Sequence, residues 1–305
     1  MKVNGQQVNI SETIKDLPAG LREALLQHFD GNSAPGYFSP AEVQQLMANY
    51  NFTLQQLMNV LVPVATLFAR PTISAYPVGA VVHGISGALY FGANLEFVSE
   101  ALSFTVHAEQ ASIAHAISYG ELGVDYLAIS EPPCGYCRQF LYEISNCPTT
   151  PDINVLVQNN TYLLSNLLPL PFGPGNLGKN YRLMQPQQNN LQMSTAPTDP
   201  VIVTALAAAN SSYAPYTSDF SGVCIQTSFG DIYTGSYAEN AAYNPSMSPL
   251  EAALVLLSMS GDNYQYIARV VLVEAAASKC SQLEATIDVL AAIAPGIIAE
   301  YYTAS

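Results

Sequence analysis

Hydrophobic positions change their spacing part-way along the chain. Between residues 11 and 61 apolar residues recur every three or four positions, as the buried face of a short helix requires. Within this stretch Ser39 and Pro40 are typical of a helix N-cap and its first turn, and another helix is expected to begin near Thr53. From Val78 onwards the apolar residues form short runs of strand length. The pattern predicts a small helical N-terminal region that leads into a core containing strands.

The core that follows alternates strands with helices. The expected strands cover residues 78–82, 88–92, 124–129 and 153–157, and the expected helices cover residues 107–119 and 134–145. Strands that alternate with helices indicate an α/β sandwich. Residues 165–200 are rich in Pro, Gly, Asn and Gln, which favours a linker. The segment Phe172-Gly173-Pro174-Gly175 leaves a second interpretation open, an ordered loop with a function.

After residue 200 the first core recurs in a weaker form at a nearly constant offset. Three segments match in order: Tyr90-Phe91-Gly92 with Tyr233-Thr234-Gly235, Glu109 with Glu251 after one residue of slippage, and 131–139 with 274–282. In this alignment Pro249 replaces His107 and Ala277 replaces Cys134, and only Cys280 keeps its place. We therefore predict four parts: a helical region (1–50), a catalytic core (51–160), a linker (161–200) and a degenerate second core (201–305).

Composition narrows the class of partner. Half of the residues are hydrophobic and only 10% are charged, so we expect part of the surface to be buried in an oligomer. The formal net charge is −14, with nine Lys and Arg residues. Binding to a phosphate backbone depends on Lys and Arg that release counterions. Nucleic acid and anionic membranes are therefore poor candidates, and a small uncharged substrate fits better.

Cysteine usage and the N-terminus favour a reducing compartment. The first residues are polar and lack the apolar stretch of a secretory signal, and the longest apolar run, residues 60–69, is too short to span a bilayer. We therefore expect a cytoplasmic protein without membrane association. Of five cysteines, two form Cys134-x-x-Cys137, which indicates a metal or redox site. We expect the remaining three, Cys147, Cys224 and Cys280, to pack as small apolar residues.

The residues His107, Glu109, Cys134 and Cys137 carry the chemistry. A catalytic zinc site uses three His or Cys ligands and leaves one position for water. Bound zinc lowers the pKa of that water to about 7, and Glu109 can take its proton and pass protons on. A redox pair or a structural zinc site are the alternatives, but a structural site needs a fourth ligand. His115 lies about 12 Å further along the helix, at a rise of about 1.5 Å per residue, so we expect it to be a packed or surface residue.

The order H-x-E and then P-C-x-x-C is the signature of zinc deaminases. In Thr105–Gln110, Pro133–Gln139 and Phe91–Phe97 the chain resembles cytidine deaminases of the two-domain, homodimeric type found in bacteria and plants. The resemblance implies one Zn2+ per chain. It implies substrate contacts by Asn94 and Glu96 to the sugar, by Tyr76 to the pyrimidine ring and by the Ala108 backbone to the pyrimidine. It also implies a contact by Phe172, which lies in a loop that packs at the active site. It also implies that Arg138 donates to the ligand thiolates.

The same resemblance implies a fold and a reaction. The fold is a three-layer α/β/α sandwich with a mixed sheet, duplicated, in a homodimer whose inert cores help to shape the partner's active site. The reaction is hydrolysis of cytidine and deoxycytidine to uridine and deoxyuridine with release of ammonia, in pyrimidine salvage. Two alternatives remain: an enzyme that deaminates bases in RNA or DNA, and a non-catalytic scaffold stabilised by zinc.

Overall fold

The computed structural model describes residues 1–145, 152–158 and 160–305. Cys147 lies outside these residues. Within them the helices are α1 (Ala19–Phe29), α2 (Pro40–Tyr50), α3 (Leu54–Thr66), α4 (Ala108–Ser118), α5 (Gly135–Ser145), α6 (Leu164–Leu167), α7 (Pro200–Asn210), α8 (Pro249–Met259) and α9 (Leu283–Ile293). The strands are β1 (Lys2–Val3), β2 (Gln6–Gln7), β3 (Tyr37–Phe38), β4 (Gly79–Gly84), β5 (Leu89–Ala93), β6 (Val124–Ile129), β7 (Asn154–Val157), β8 (Asn160–Leu163), β9 (Ser221–Thr227), β10 (Ile232–Ser236), β11 (Ile267–Ala275) and β12 (Ala299–Ala304).

The N-terminal helices begin where the sequence places their caps. The Ser39 hydroxyl accepts the Glu42 backbone N–H at 3.3 Å, while the Glu42 carboxylate accepts the Ser39 N–H at 2.8 Å. Thr53 and Gln56 form the same reciprocal pair at the start of α3. Each pair satisfies backbone donors that a helix start leaves without partners. The predicted cap at Ser39 and the predicted helix start near Thr53 are confirmed.

Aromatic packing attaches the N-terminal helices to the first sheet. Phe38 on β3 has its ring centroid 5.9 Å from that of Phe29 on α1 and 5.7 Å from that of Phe91 on β5. All three rings are buried, and such contacts add to the stabilisation that comes from the area removed from water. Strand β3 also pairs with β5, so the N-terminal region supplies one edge of the sheet.

The first sheet has the order β3-β5-β4-β6-β7-β8. Strands β6 and β7 are parallel, and the other neighbours are antiparallel. Two glycines show that its faces are covered by different helices. A Cβ on Gly79 would lie 2.4 Å from the Thr66 backbone of α3, and a Cβ on Gly92 would lie 2.2 Å from the Ser112 backbone of α4. Gly92 is paired with Ala80, the neighbour of Gly79, so the two glycines face opposite sides.

The second core repeats this arrangement. Its sheet has the order β10-β9-β11-β12, with β11 and β12 parallel. A Cβ on Gly222 would lie 2.2 Å from the Ala209 backbone of α7, and one on Gly235 would lie 2.1 Å from the Pro249 carbonyl of α8. Since Gly222 pairs with Ser236, the neighbour of Gly235, these two helices again cover opposite faces. The predicted duplicated three-layer α/β/α fold with mixed sheets is confirmed.

The predicted alignment of α4 with α8 is wrong by one residue. Gly92 lies against the Ala108 carbonyl in the first core, and Gly235 lies against the Pro249 carbonyl in the second. Pro249 is therefore the counterpart of Ala108, and the counterpart of His107 is the N-cap Ser248. Glu251 correspondingly takes the place of Gln110, because each is the third helical residue and accepts the N-cap N–H. The connection from β5 to α4 is longer than the connection from β10 to α8, and this difference caused the error. The corrected alignment still leaves the second copy without the histidine.

Among the residues that the structure describes, we find no helix with both the length and the apolar character needed to cross a membrane.

Candidate metal centre

His107 and the two cysteines meet because α4 and α5 begin at the same place. His107 is the N-cap of α4, and its imidazole makes no capping hydrogen bond. Its backbone N–H instead donates to Gln110 Oε1 at 3.4 Å. Cys134 immediately precedes α5, and Cys137 lies in the first turn. Positions three apart on a helix lie on one side, so both thiol groups face the imidazole.

The distances between the three donor atoms fit a zinc ion. Cys134 Sγ lies 3.6 Å from His107 Nδ1 and 3.7 Å from Cys137 Sγ. With Zn–S bonds of about 2.3 Å and a Zn–N bond of about 2.0 Å, tetrahedral edges are about 3.5 Å from sulfur to nitrogen and about 3.8 Å between sulfurs. Over residues 1–145, 152–158 and 160–305, these three are the potential ligands whose donor atoms all lie within 4.8 Å of one another. The predicted ligand set is therefore assembled in the form of an open, three-ligand site.

The three groups also determine one another's protonation. Hydrogen bonds from the Cys137 thiol and from His107 lower the pKa of Cys134 to about 3, so Cys134 is a thiolate at neutral pH. The bond to Cys134, together with burial, raises the pKa of Cys137. The contact with Cys134 also raises the pKa of His107. A preformed thiolate beside an imidazole is the environment that a divalent metal requires.

Glu109 lies beside the ligands in the first turn of α4, with 3% of its surface exposed. Burial raises the pKa of its carboxyl, and its own backbone N–H, His107 and the Cys137 thiol act in the opposite direction. A carboxyl with a raised pKa next to a metal centre can both accept and return a proton near neutral pH. Its position therefore suits the predicted proton shuttle.

Asn94 and Glu96 hold a turn together. Glu96 Oε2 accepts the backbone N–H groups of Ile73 at 2.7 Å and Ser74 at 2.8 Å, and Oε1 accepts the Ser74 hydroxyl at 2.6 Å. Asn94 accepts the Val78 N–H at 2.9 Å and donates to the Tyr76 carbonyl at 3.0 Å. Burial alone would raise the pKa of Glu96, but these hydrogen bonds lower it. This role in fixing the turn was not apparent in the sequence, and the sugar contacts remain a prediction.

The residues predicted to contact the base lie around this turn and at the helix starts. Tyr76 is 52% exposed, and its hydroxyl interacts with the Glu131 carboxylate, which raises the pKa of the phenol. Glu131 is thus the partner of the Tyr76 hydroxyl. Ala108 is the first residue of α4 and is buried. Its place at a helix start leaves its N–H without an intrahelical acceptor, as recognition of a base requires.

The Phe172 segment is an ordered loop held against α5. Gln139 Nε2 donates to the Phe172 carbonyl at 2.6 Å, and a Cβ on Gly173 would lie 2.3 Å from the Tyr142 ring. The Phe172 ring itself is 45% exposed. Within the stretch predicted as a linker, this segment is therefore an ordered loop, and its function remains a prediction.

Arg138 supports the loop in front of the cysteines. Its Nε donates to the Pro133 carbonyl at 2.8 Å, and its Nη1 donates to the Leu167 carbonyl at 3.0 Å. Both bonds are to backbone oxygens and not to a thiolate, so Arg138 acts on the ligands through the position of residues 133–134. Donation to the thiolates remains a prediction.

The sequence also predicted how His115, Cys224 and Cys280 are packed. His115 is a packed histidine, as predicted, with Nδ1 2.9 Å from the Phe91 carbonyl, and burial lowers its pKa to about 4. Cys224 is buried, as expected. The same expectation for Cys280 is wrong, because this residue is exposed and its thiol donates to Asp219 at 3.4 Å. Apolar packing of Cys280 fails because α9 begins only at Leu283, so Cys280 precedes its helix, whereas Cys137 lies inside α5.

Two family models, both described as the zinc-binding region of cytidine and deoxycytidylate deaminases, match residues 52–149 and 164–287. A cytidine deaminase of Photobacterium profundum is 39% identical over 97% of this chain and 99% of its own length. One of Photorhabdus laumondii is 40% identical over 94% of this chain and 96% of its own. A solved cytidine deaminase of Mycobacterium tuberculosis is 26% identical over 40% of this chain and 99% of its own, with a TM-score of 0.36.

Proposed function

This chain belongs to the cytidine deaminase family, and we propose that His107, Cys134 and Cys137 hold its zinc ion while Glu109 moves the protons. The reaction is the hydrolysis of cytidine and deoxycytidine to uridine and deoxyuridine with release of ammonia. Water supplies the oxygen that replaces the amino group at C4 of the ring. The observation that carries the site assignment is the 3.6 Å and 3.7 Å spacing of the three donor atoms, with buried Glu109 beside them.

Different residues of the chain carry out the proton transfers and the binding of the ring. Zinc, when bound, makes water acidic enough to deprotonate near neutral pH. Glu109 takes one proton from the attacking water and delivers it to the ring nitrogen N3. It then takes the remaining proton from the new hydroxyl on C4 and delivers it to the departing amine, so that both protons of the water are accounted for. Because its carboxyl is buried, few waters compete for these protons. The start of α4 presents the Ala108 N–H to the pyrimidine, and Tyr76 and Phe172 provide aromatic faces for the ring.

The sugar contacts are the second part of the proposal. We assign the ribose to Asn94 and Glu96, since both are 7% exposed and both hold the turn that carries Tyr76 through hydrogen bonds. A buried carboxylate and amide reject ligands that lack the matching hydroxyl groups. Deamination of bases in RNA or DNA is the weaker candidate, because a net charge of −14 repels a phosphate backbone. Turnover of an oligonucleotide, with none of cytidine, would reverse this ranking.

Loss of ultraviolet absorbance on mixing protein with cytidine tests the reaction. We expect turnover in the zinc-replete protein, none after removal of the metal with a chelator, and recovery when Zn2+ is restored. Glu109→Gln keeps the shape of the side chain and is expected to retain zinc but to lose turnover. Substantial turnover in that variant would refute the proton-shuttle role, and zinc bound by four protein ligands would favour the scaffold interpretation.

Organisation and cellular context complete the proposal. We assign residues 1–50 to a helical region, 51–160 to the catalytic core, 161–200 to a linker and 201–305 to the inert core. A homodimer is supported by the low charge content and by the exposed apolar side chains near the site, such as Ile73 and Leu102. Light scattering on the purified protein would show twice the mass of one chain. Free thiol ligands suit a cytoplasmic enzyme of pyrimidine salvage.

A further inference from the structure

Both helices that carry the metal ligands make polar contacts with one short segment of the second core. This segment, Asn240–Pro245, is called the clamp loop here, and it lies between β10 and α8. On α4, Gln110 Nε2 donates to the Pro245 carbonyl at 3.1 Å. On α5, the Tyr136 hydroxyl donates to the Asn244 carbonyl at 2.7 Å. The two helices that form the metal centre are thus attached to the carbonyl groups of adjacent residues in the other core.

Two further contacts bind α5 to the clamp loop along one helix face. Asn240 Nδ2 donates to the Gln139 carbonyl at 3.0 Å, and Asn240 Oδ1 lies 3.4 Å from Gln139 Nε2. The Ala241 N–H donates to Glu143 Oε2 at 3.0 Å. Positions 136, 139 and 143 follow the spacing of a single helix face, so the whole of α5 is fixed against rotation and sliding.

Glu143 strengthens this attachment because its carboxylate is completely buried and accepts several hydrogen bonds from the second core. Oε1 accepts the Tyr213 hydroxyl at 2.7 Å and the Tyr216 hydroxyl at 2.5 Å. Burial raises the pKa of this carboxyl, and the tyrosine hydroxyls and the Ala241 N–H act in the opposite direction. A buried acid of this kind is stable only while its donors stay in place, which ties α5 to the second core.

The clamp loop is itself held in one conformation. Asn240 is completely buried; its Oδ1 accepts the Ala242 N–H at 2.9 Å, and its N–H donates to the Ser246 hydroxyl at 2.9 Å. The Ser246 N–H donates to the Tyr243 carbonyl at 2.8 Å. Side-chain bonds of this type fix a loop without regular secondary structure. A rigid loop can position the helices that it contacts, whereas a mobile one could not.

We propose that the clamp loop is a positioning element of the metal centre, which gives the inert core a function inside the same chain. Tyr136 is the most direct link, since its ring centroid lies 5.5 Å from that of the ligand His107 and its hydroxyl is anchored to the loop. Asn240 is the central positioning residue, because it fixes both the loop and the α5 backbone two residues after Cys137. The inference rests on the assignment of His107, Cys134 and Cys137 as the zinc ligands.

The test compares the rate at which zinc leaves the protein for a colorimetric chelator. Residues that orient metal ligands change metal affinity or activity by about 10- to 100-fold when replaced. We expect Asn240→Ala to release zinc at least about 10-fold faster than the unaltered protein. Asn189→Ala is the matched control, since among the described residues the Asn189 side chain donates to Ala209 and Ser212 and to no residue of α4, α5 or the clamp loop. This control is expected to release zinc at the unaltered rate.

A second variant keeps the test decisive if Asn240→Ala fails to fold. Tyr136→Phe retains the ring against His107 and removes the hydroxyl that bonds to Asn244 and interacts with Gln110. With Co2+ in place of zinc, we expect its visible ligand-field bands to shift and its metal to leave faster. Release and spectra equal to those of Asn189→Ala in both variants would overturn the positioning role. An unaltered protein that takes up neither Zn2+ nor Co2+ would instead overturn the proposed metal site, and the clamp with it.

Discussion

Gly92→Ala is expected to disable the metal centre by moving α4. The new Cβ would lie 2.2 Å from Ser112 N and 2.3 Å from the Ala108 carbonyl, both backbone atoms of α4. Ordinary contact needs about 3.4 Å or more, so the helix and the strand must separate by about 1 Å. His107 begins this helix, and its imidazole would move with it relative to the two cysteines on α5.

The separation has two measurable costs. Forcing one methyl group into a tightly packed contact destabilises a protein by about 1–3 kcal/mol, and a displacement of about 1 Å at a catalytic site can lower the rate about 100-fold. We therefore expect a lower free energy of unfolding, measured by urea denaturation, together with a disproportionate loss of cytidine turnover and of bound zinc.

The control is Gly175→Ala, since a Cβ there would meet no other atom within 4 Å. It removes the conformational freedom of a glycine without any steric conflict, and we expect its stability and turnover to stay close to those of the unaltered protein. If Gly92→Ala unfolds at the same urea concentration and turns over at the same rate as this control, the tight contact does not position α4 and the reasoning is wrong.

Three further predictions concern buried polar groups. Tyr216→Phe leaves the Glu143 carboxylate with one donor fewer and should lower the free energy of unfolding, measured in urea, by about 1–3 kcal/mol. An unchanged free energy of unfolding would contradict the tight burial of Glu143. The pKa of His115 is about 4 in the folded protein and about 6.5 in the unfolded chain, so the unfolded state binds more protons between these values. Acidification from pH 7 to pH 4 should therefore lower the free energy of unfolding of the zinc-free protein by about 3 kcal/mol more than that of His115→Gln. Equal losses in the two proteins, measured by urea denaturation at each pH, would show that His115 is not buried in its neutral form. Glu96→Gln loosens the turn at Ile73 and Ser74 and should raise KM for cytidine more than it lowers kcat. Glu42→Gln, which loosens the N-cap of α2, should leave KM unchanged. An equal rise of KM in both variants would show that the turn does not act at the site.

Much of the site was encoded within short stretches of sequence. The proposed ligand His107 and Glu109 are two residues apart at one helix start, and Cys134 and Cys137 are three residues apart at another. Helix caps, strand bounds and the spacing of ligands on a single turn depend on neighbours only a few residues away, so the sequence predicts them directly. The same holds for Ser39 and Thr53, whose partners lie three residues further on.

Contacts between distant segments were decided only by packing. The counterpart of His107 is Ser248 and not Pro249, because the loops before α4 and α8 differ in length and only the close approach of Gly92 and Gly235 reveals the true register. The sequence predicted a ligand for Asn94 and Glu96 but not their hydrogen bonds to the Ile73–Tyr76 turn. Likewise, nothing in the motif around Cys137 indicates that Gln139 pairs with a residue of the second core. Local chemistry follows from the order of residues along the chain, whereas these pairings depend on how two sheets and their helices pack, and that is a property of the whole fold.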